Sequence, residues 1–422
     1  MFFYMIRKEE VLVREKYLKK IRPFYSSDLV KVITGIRRCG KSTILKTIIK
    51  ELREGGVNEE KIIYLPLDNK GYKSIKTPEE LEAKIEEKIT SDGLYYILID
   101  EVQNVKGFES VVLSYVEEKY SVFLTGSNSY LLSDEISTKL TGRYLSFEIF
   151  TLDFKEYIEM KKIHSIHISP DLYEEFSEYL LNGGFPKSLE FETRETREFY
   201  TASIIEEIFN KDVRTRNKIT NKNVFERVQS YLINNYSSPF SITNLVDELQ
   251  KEGFKTKVNT VKAYIEDLKK AKIVYECNRF DLKSKKSLKR EQKYYLADLA
   301  IYYAMNTNSS FSLGPSLENI VYTYLRSNDY LVSVGRIGKF ECDFIIRNRK
   351  HEFAYIQVAY TLQGESKEAT ERIKEREYRP FRSIKDGWPR YIISLDRIRD
   401  KQEGIYHINV LDLFLGKEKL II

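Results

Sequence analysis

Lys31-Val32-Ile33-Thr34-Gly35-Ile36-Arg37-Arg38-Cys39-Gly40-Lys41-Ser42-Thr43 is the stretch that decides how the rest of the chain is read. Val32 and Ile33 are a short apolar run of the kind a buried strand carries. After Thr43, the residues Ile44, Leu45, Ile48 and Ile49 recur at helical spacing. Between them stands Gly35-x-x-x-x-Gly40-Lys41-Ser42, and strand, glycine-bounded loop and helix is the context in which such a loop holds a phosphate. The glycines let the backbone bend around an anion, while N–H groups of the loop and of the new helix point into the bend. Gly35, Ile36, Arg37, Arg38, Cys39, Gly40, Lys41, Ser42 and Thr43 are therefore the expected nucleotide-binding residues. Lys41 would reach the β- and γ-phosphates, and the Ser42 hydroxyl would ligate Mg²⁺.

About 60 residues further on comes Tyr95-Tyr96-Ile97-Leu98-Ile99-Asp100-Glu101. An apolar run ending in two acids reads as a buried parallel strand that delivers both carboxylates to its C-terminal edge. Asp100 is expected on the Mg²⁺, directly or through water, and Glu101 is placed to polarise the attacking water. A further strand, Ser121-Val122-Phe123-Leu124-Thr125-Gly126, leads to Ser127 and Asn128. Either of these could sense the γ-phosphate or orient the water, and a polar turn after a strand would look the same. Arg143, in Thr141-Gly142-Arg143, could stabilise transition-state charge, from its own chain or a neighbouring subunit; a surface ion pair is the alternative.

These segments together resemble the AAA-type ATPase domain of a prokaryotic ATP-binding protein family. The double arginine Arg37-Arg38 inside the loop is the most distinctive token. Thr151-Leu152-Asp153-Phe154-Lys155-Glu156-Tyr157 is similar to the segment that closes that domain, and Asn182-Gly183-Gly184-Phe185-Pro186 to a motif in its helical extension. The resemblance covers essentially the whole chain. It implies a RecA/AAA-like parallel sheet, with Asp100 on magnesium, Glu101 as catalytic base and Ser127 or Asn128 as sensor.

A chain of 422 residues, 42% hydrophobic and 31% charged, suggests two to four globular domains. No apolar run approaches the roughly 18 residues of a membrane span, so no membrane partner is expected. Cys39, Cys277 and Cys342 stand far apart with no metal-binding spacing, which points to a reduced, cytoplasmic setting without structural zinc. The net charge is +6, yet residues 211–300 hold 20 Lys/Arg against 11 Asp/Glu. A basic middle segment fits a nucleic-acid contact or a solvated charged face.

Behind the ATPase core (1–155), amphipathic helices over 172–181 and 197–209 suggest a helical lid or connector (156–220). Residues 221–300 read as three short helices, a strand, a basic loop from Lys283 to Arg290 and a returning strand. That is a winged-helix pattern, whose third helix would present Lys255, Lys257, Asn259, Thr260 and Lys262 to a DNA groove. Lys285, Lys286, Lys289 and Arg290 in the hairpin would lie near phosphates. A protein-interaction module would carry the same pattern.

Residues 301–422 resemble a small α/β restriction-endonuclease-like core. Glu318 on a helix and Asp343 on a strand match its acids, while Gln357 and Ala359 stand where an acid and a lysine are expected. With an acid and its cation missing, the domain is expected to be inactive and kept for binding. The chain as a whole reads as a Mg²⁺-dependent ATPase switch, ATP being favoured because no guanine-reading Asn-Lys-x-Asp occurs. Its partner is DNA or a protein, and an oligomer is left open. An ATP-coupled nuclease and a purely protein-binding regulator are the rival readings.

Overall fold

The computed structural model describes residues 11–126, 140, 142–214, 219, 221–284, 286–306, 313–397 and 401–422. The described residues fall into two compact units. The chain up to Thr151 with Glu159–Ile166 makes the first, and Leu152–Ile158 with His167–Ile422 makes the second.

In the first unit, α1 (Glu15–Ile21) leads to β1 (Val30–Thr34), and α2 (Lys41–Glu54) follows the glycine loop. Next come β2 (Ile62–Pro66), α3 (Pro78–Glu86), β3 (Tyr96–Asp100), α4 (Phe108–Glu117), β4 (Ser121–Thr125) and β5 (Tyr144–Glu148). The strands make one five-stranded sheet in the order β2-β3-β4-β1-β5, with every pair parallel. Residues of β1, β3 and β4 are buried throughout, as their continuous apolar runs require when helices cover both faces. α2 turns Ile44, Leu45, Ile48, Ile49 and Leu52 inward. α3 starts at a capped turn. Thr77 accepts the Glu80 N–H at 3.3 Å, Glu80 returns a bond to the Thr77 N–H at 3.1 Å, and Pro78 occupies the first turn.

The strand order is what the sequence could not supply. β4 lies between the strand that feeds the glycine loop and the strand that ends in Asp100, so those two are not direct neighbours. All strands are parallel, so Thr34, Asp100 and Thr125 end at the same edge of the sheet.

After α5 (Phe154–Ile163), the second unit holds α6 (Leu172–Asn182), α7 (Arg194–Ile208) and the three helices α8 (Lys222–Asn234), α9 (Ile242–Lys251) and α10 (Val258–Lys270). β6 (Val274–Asp281) and β7 (Lys286–Leu296) form the antiparallel hairpin. α11 (Ala300–Met305) and α12 (Leu313–Ser327) precede β8 (Leu331–Ile337), β9 (Phe340–Arg347) and β10 (Phe353–Val358). α13 (Lys367–Arg382), β11 (Arg390–Ser394), β12 (Lys401–Gln402), β13 (Ile405–Asn409) and α14 (Val410–Phe414) complete it.

Two expectations change here. The hairpin is not a free wing: β6 pairs in parallel with β8, giving one eight-stranded sheet in the order β12-β13-β11-β10-β9-β8-β6-β7. The expected boundary at 300/301 therefore falls inside a continuous sheet. β6 has a free edge that must find a partner, and alternation of side chains cannot say which strand supplies it. The basic loop is also shorter than expected, because Lys286 to Arg290 already belong to β7. Among the described residues no helix is long and apolar enough to cross a membrane.

Candidate functional site

The loop after β1 takes the shape its glycines allow. Gly35 has φ +148° and Gly40 φ +103°, and a Cβ on Gly35 would stand 2.2 Å from the Ile149 carbonyl oxygen. Gly40 caps α2 without any side-chain bond, which leaves the first-turn N–H groups of that helix to face the loop's interior. Lys41 is 5% exposed and donates to the carbonyls of Gly35 at 3.0 Å and Ile36 at 3.2 Å. Its ammonium thus lies across the loop. Ile36 is buried, Arg37 half-buried and Arg38 exposed, while Arg38 adopts a left-handed φ of +68°. Cys39 is fully buried and donates its thiol to the Ile149 carbonyl at 3.3 Å. Burial pushes that thiol's pKa up, so it acts as packing, not as a nucleophile.

Asp100 is 3% exposed at the end of β3. Thr125 donates its hydroxyl to one carboxylate oxygen, and Tyr64 donates to the other at 3.2 Å. The Ser42 hydroxyl is near enough to the same carboxyl to lower its pKa, so the start of α2 and the end of β3 lie close together. Burial raises the Asp100 pKa above the ordinary value, while the Thr125 and Ser42 hydroxyls pull it down. Burial and the adjacent Asp100 also raise the Tyr64 phenol, which keeps it a donor. Glu101 is half-buried with φ +58°, a conformation uncommon for a residue with a side chain. Its N–H donates to Thr125 Oγ1 at 3.0 Å, and the Gln103 amide donates to its carboxylate. A single threonine therefore bonds both acids.

The expected set is gathered only in part. Gly35 to Ser42 and Asp100 with Glu101 share one edge of the sheet. Ser127 and Asn128 lie outside the described residues. Arg143 is a correction for the same-chain role. It precedes β5 at the opposite edge of the parallel sheet, where its carbonyl accepts the Val30 N–H at 2.9 Å. There it pairs with Glu117 at 2.9 Å, both side chains at least half exposed. Five residues of strand, roughly 16 Å, separate that edge from the loop.

Sequence reading passed over four contributors. Thr125 and Tyr64 are ordinary strand residues until the strand order brings them to Asp100. Arg14, 3% exposed, donates to the carbonyls of Cys39 (3.0 Å), Phe150 (2.9 Å) and Thr151 (3.1 Å). Lys293, on β7 in the second unit, supplies a cation to the carboxylates of Glu318, Glu341 and Asp343. Its ammonium lies 2.9 Å from Glu318, 2.8 Å from Glu341 and 3.8 Å from Asp343. The lysine expected at position 359 is thus replaced from another strand, and the statement that the cluster lacks a cation is corrected. Tyr295 donates to Glu318 at 2.6 Å, and Asp343 accepts the Val358 N–H at 2.8 Å. Among the described residues no group of three or more His, Cys, Asp or Glu could hold a metal ion.

Comparison with known proteins agrees with the first unit. An AAA domain matches residues 27–158, and a domain of unknown function matches residues 173–312. An uncharacterized protein of Haemophilus influenzae is 30% identical over 409 residues, covering 96% of this chain and 99% of that one. One from Methanocaldococcus jannaschii is 28% identical over 438 residues, covering 98% of this chain and 90% of its own. Among solved structures, a Walker-type ATPase of Pyrococcus abyssi aligns with a TM-score of 0.52 at 16% identity, over 71% of this chain and 97% of that one. The likeness at that identity is one of fold, that of a P-loop ATPase.

Proposed function

The chain belongs to the same family as the Haemophilus influenzae relative and carries an AAA domain over residues 27–158, and from that premise we propose that it is a Mg²⁺-dependent ATPase. Nucleotide state would govern what its second unit binds. The observation that carries this reading is the gathering, at one edge of the sheet, of the Lys41 loop and of Asp100 and Glu101, both held by Thr125, with Ser42 near the Asp100 carboxyl.

The donor set suits a hard divalent cation. An aliphatic hydroxyl and a buried carboxyl are oxygen ligands of the type magnesium takes while keeping several waters. Ser42 and Asp100 would hold it, and when bound the ion neutralises charge developing between the outer phosphates. Amides of Gly40, Lys41, Ser42 and Thr43 would cradle the phosphates, with Lys41 shifting from loop carbonyls onto phosphate oxygens. Glu101, its backbone fixed by Thr125 and its carboxylate by Gln103, would take the proton of the attacking water.

For the second unit we favour a DNA-binding role without cleavage. Lys255, Lys257, Asn259 and Lys262 are exposed along the start of α10, and the segment from 211 to 300 is the basic part of the chain. Glu318 and Asp343 are tied to Lys293, which argues for a scaffold and against a nuclease centre. ATP turnover measured with and without duplex DNA tests the coupling, alongside a salt titration of DNA binding. Affinity that falls steeply with salt supports the DNA reading, and a flat response favours a protein partner. Cleavage of supercoiled plasmid in Mg²⁺ or Mn²⁺ would reinstate the nuclease.

A further inference from the structure

Arg14 stands just before α1, about 25 residues upstream of the glycine loop, and its guanidinium is buried. A buried cation is costly unless it is fully hydrogen-bonded. Here Nη1 donates to the Cys39 and Phe150 carbonyls and Nη2 to the Thr151 carbonyl. The guanidinium also lies 4.7 Å from the centre of the Tyr17 ring, and the Tyr17 hydroxyl accepts the Phe150 N–H at 3.2 Å. The loop rests on the same segment, residues 149–151, at two more points. Gly35 abuts the Ile149 carbonyl, and the Cys39 thiol donates to it.

The consequence lies in one peptide plane. In a trans peptide the carbonyl of Cys39 and the N–H of Gly40 point in opposite directions. Holding the oxygen on Arg14 therefore turns the Gly40 N–H away from Arg14. Gly40 has φ +103° and no Cβ to restrict it. A glycine there leaves this joint of the loop free to turn by its own sterics. An amide that must donate to a phosphate gains most from being set in advance, because ordering it on binding would subtract from affinity.

We propose that Arg14 is a positioning residue that sets the Gly40 amide for phosphate binding by gripping the Cys39 carbonyl. The proposal rests on the nucleotide reading given above. It goes beyond it by assigning the order of the loop to a side chain outside the loop. The Arg14 guanidinium is engaged by the carbonyls of Cys39, Phe150 and Thr151, so its loss is expected to act on affinity and to spare the chemical step.

The test is Mg²⁺-ATP binding by calorimetry and steady-state turnover, on the full chain and on Arg14→Met, Arg14→Lys and Lys41→Ala. Arg14→Met is expected to bind ATP about 10- to 100-fold more weakly, the range typical for loss of a group that orients a ligand contact. Its turnover at saturating ATP is expected to stay within about threefold of native, because transition-state contacts are kept. Arg14→Lys, which keeps the charge but cannot fork between carbonyls, should fall between. Unchanged affinity in Arg14→Met overturns the proposal, and so does a loss of turnover as large as the loss of affinity. Should Arg14→Met fail to fold, Arg14→Lys decides by the same split between KM and kcat. If the native chain and Lys41→Ala bind ATP equally poorly, the nucleotide reading itself has failed, a result distinct from failure of Arg14 alone.

Discussion

Thr125 bonds Asp100 and Glu101 at once, donating its hydroxyl hydrogen to the Asp100 carboxylate and accepting the Glu101 N–H at 3.0 Å. The donor is fixed by this arrangement. With its oxygen engaged by an N–H, the hydroxyl must point its hydrogen at the carboxylate. β4 therefore holds the end of β3 in register through one side chain.

Thr125→Val keeps the shape and removes both bonds. ATP turnover is expected to drop about 10- to 100-fold, the usual effect of removing a group that orients a metal-binding carboxylate. The acid limb of the pH profile also moves. Burial already raises the Asp100 pKa and the Thr125 hydroxyl opposes that rise. Losing the hydroxyl raises it further, so activity should begin to fall at a higher pH as the solution is acidified. A variant whose acid limb coincides with the native one would show that Thr125 does not govern this carboxyl.

Lys293 anchors the sheet of the second unit. Burial opposes its charge, yet Glu318, Asp343 and Glu341 together keep its pKa raised. Lys293→Met leaves buried carboxylates without their cation, and a loss of about 3–5 kcal/mol in urea unfolding is expected. Adding Glu318→Gln to that variant should restore part of the loss. A change below about 1 kcal/mol would place the pair among marginal surface bridges.

Lys31 gives a pH signature to the first unit. Its ammonium is buried in β1, donating to the Ser27 carbonyl and the Ser121 hydroxyl, each at 2.9 Å. Burial lowers its pKa to about 7 from 10.5, against the opposing pull of Asp28. Between those values the unfolded chain binds the proton and the folded one does not, so this residue makes stability rise with pH from about 7 towards 10.5. In thermal melts across that range, Lys31→Met should show a flatter rise than the native chain. Parallel profiles for the two proteins would contradict the assignment.

What could be read from the residues was whatever is encoded locally. The loop from Gly35 to Thr43, the helix after it and the acids ending β3 each depend on spacing within a dozen residues. What could not be read depends on which strands become neighbours. Thr125 and Tyr64 acquire a role only because β2 and β4 flank β3. Arg14 meets carbonyls up to 137 residues away, and Lys293 reaches a cluster on α12 and β9 from β7. The same limit explains Arg143. Its neighbours Thr141 and Gly142 read well as a motif, but the direction of β5 carries it to the far edge of its own sheet. The hairpin of β6 and β7 was visible, while its continuation into β8 was not.

The most direct measurement compares ATP turnover and ATP binding, in Mg²⁺, for the native chain and for Glu101→Gln. The variant keeps the size of the side chain, the Thr125 bond to its backbone and the whole glycine loop, and removes only the ability to take a proton. Binding within about threefold of native with turnover lower by about a hundredfold or more is expected, as for loss of a general base. Turnover equal to native would contradict the assignment of Glu101, and absence of ATP binding in the native chain would contradict the assignment of the loop.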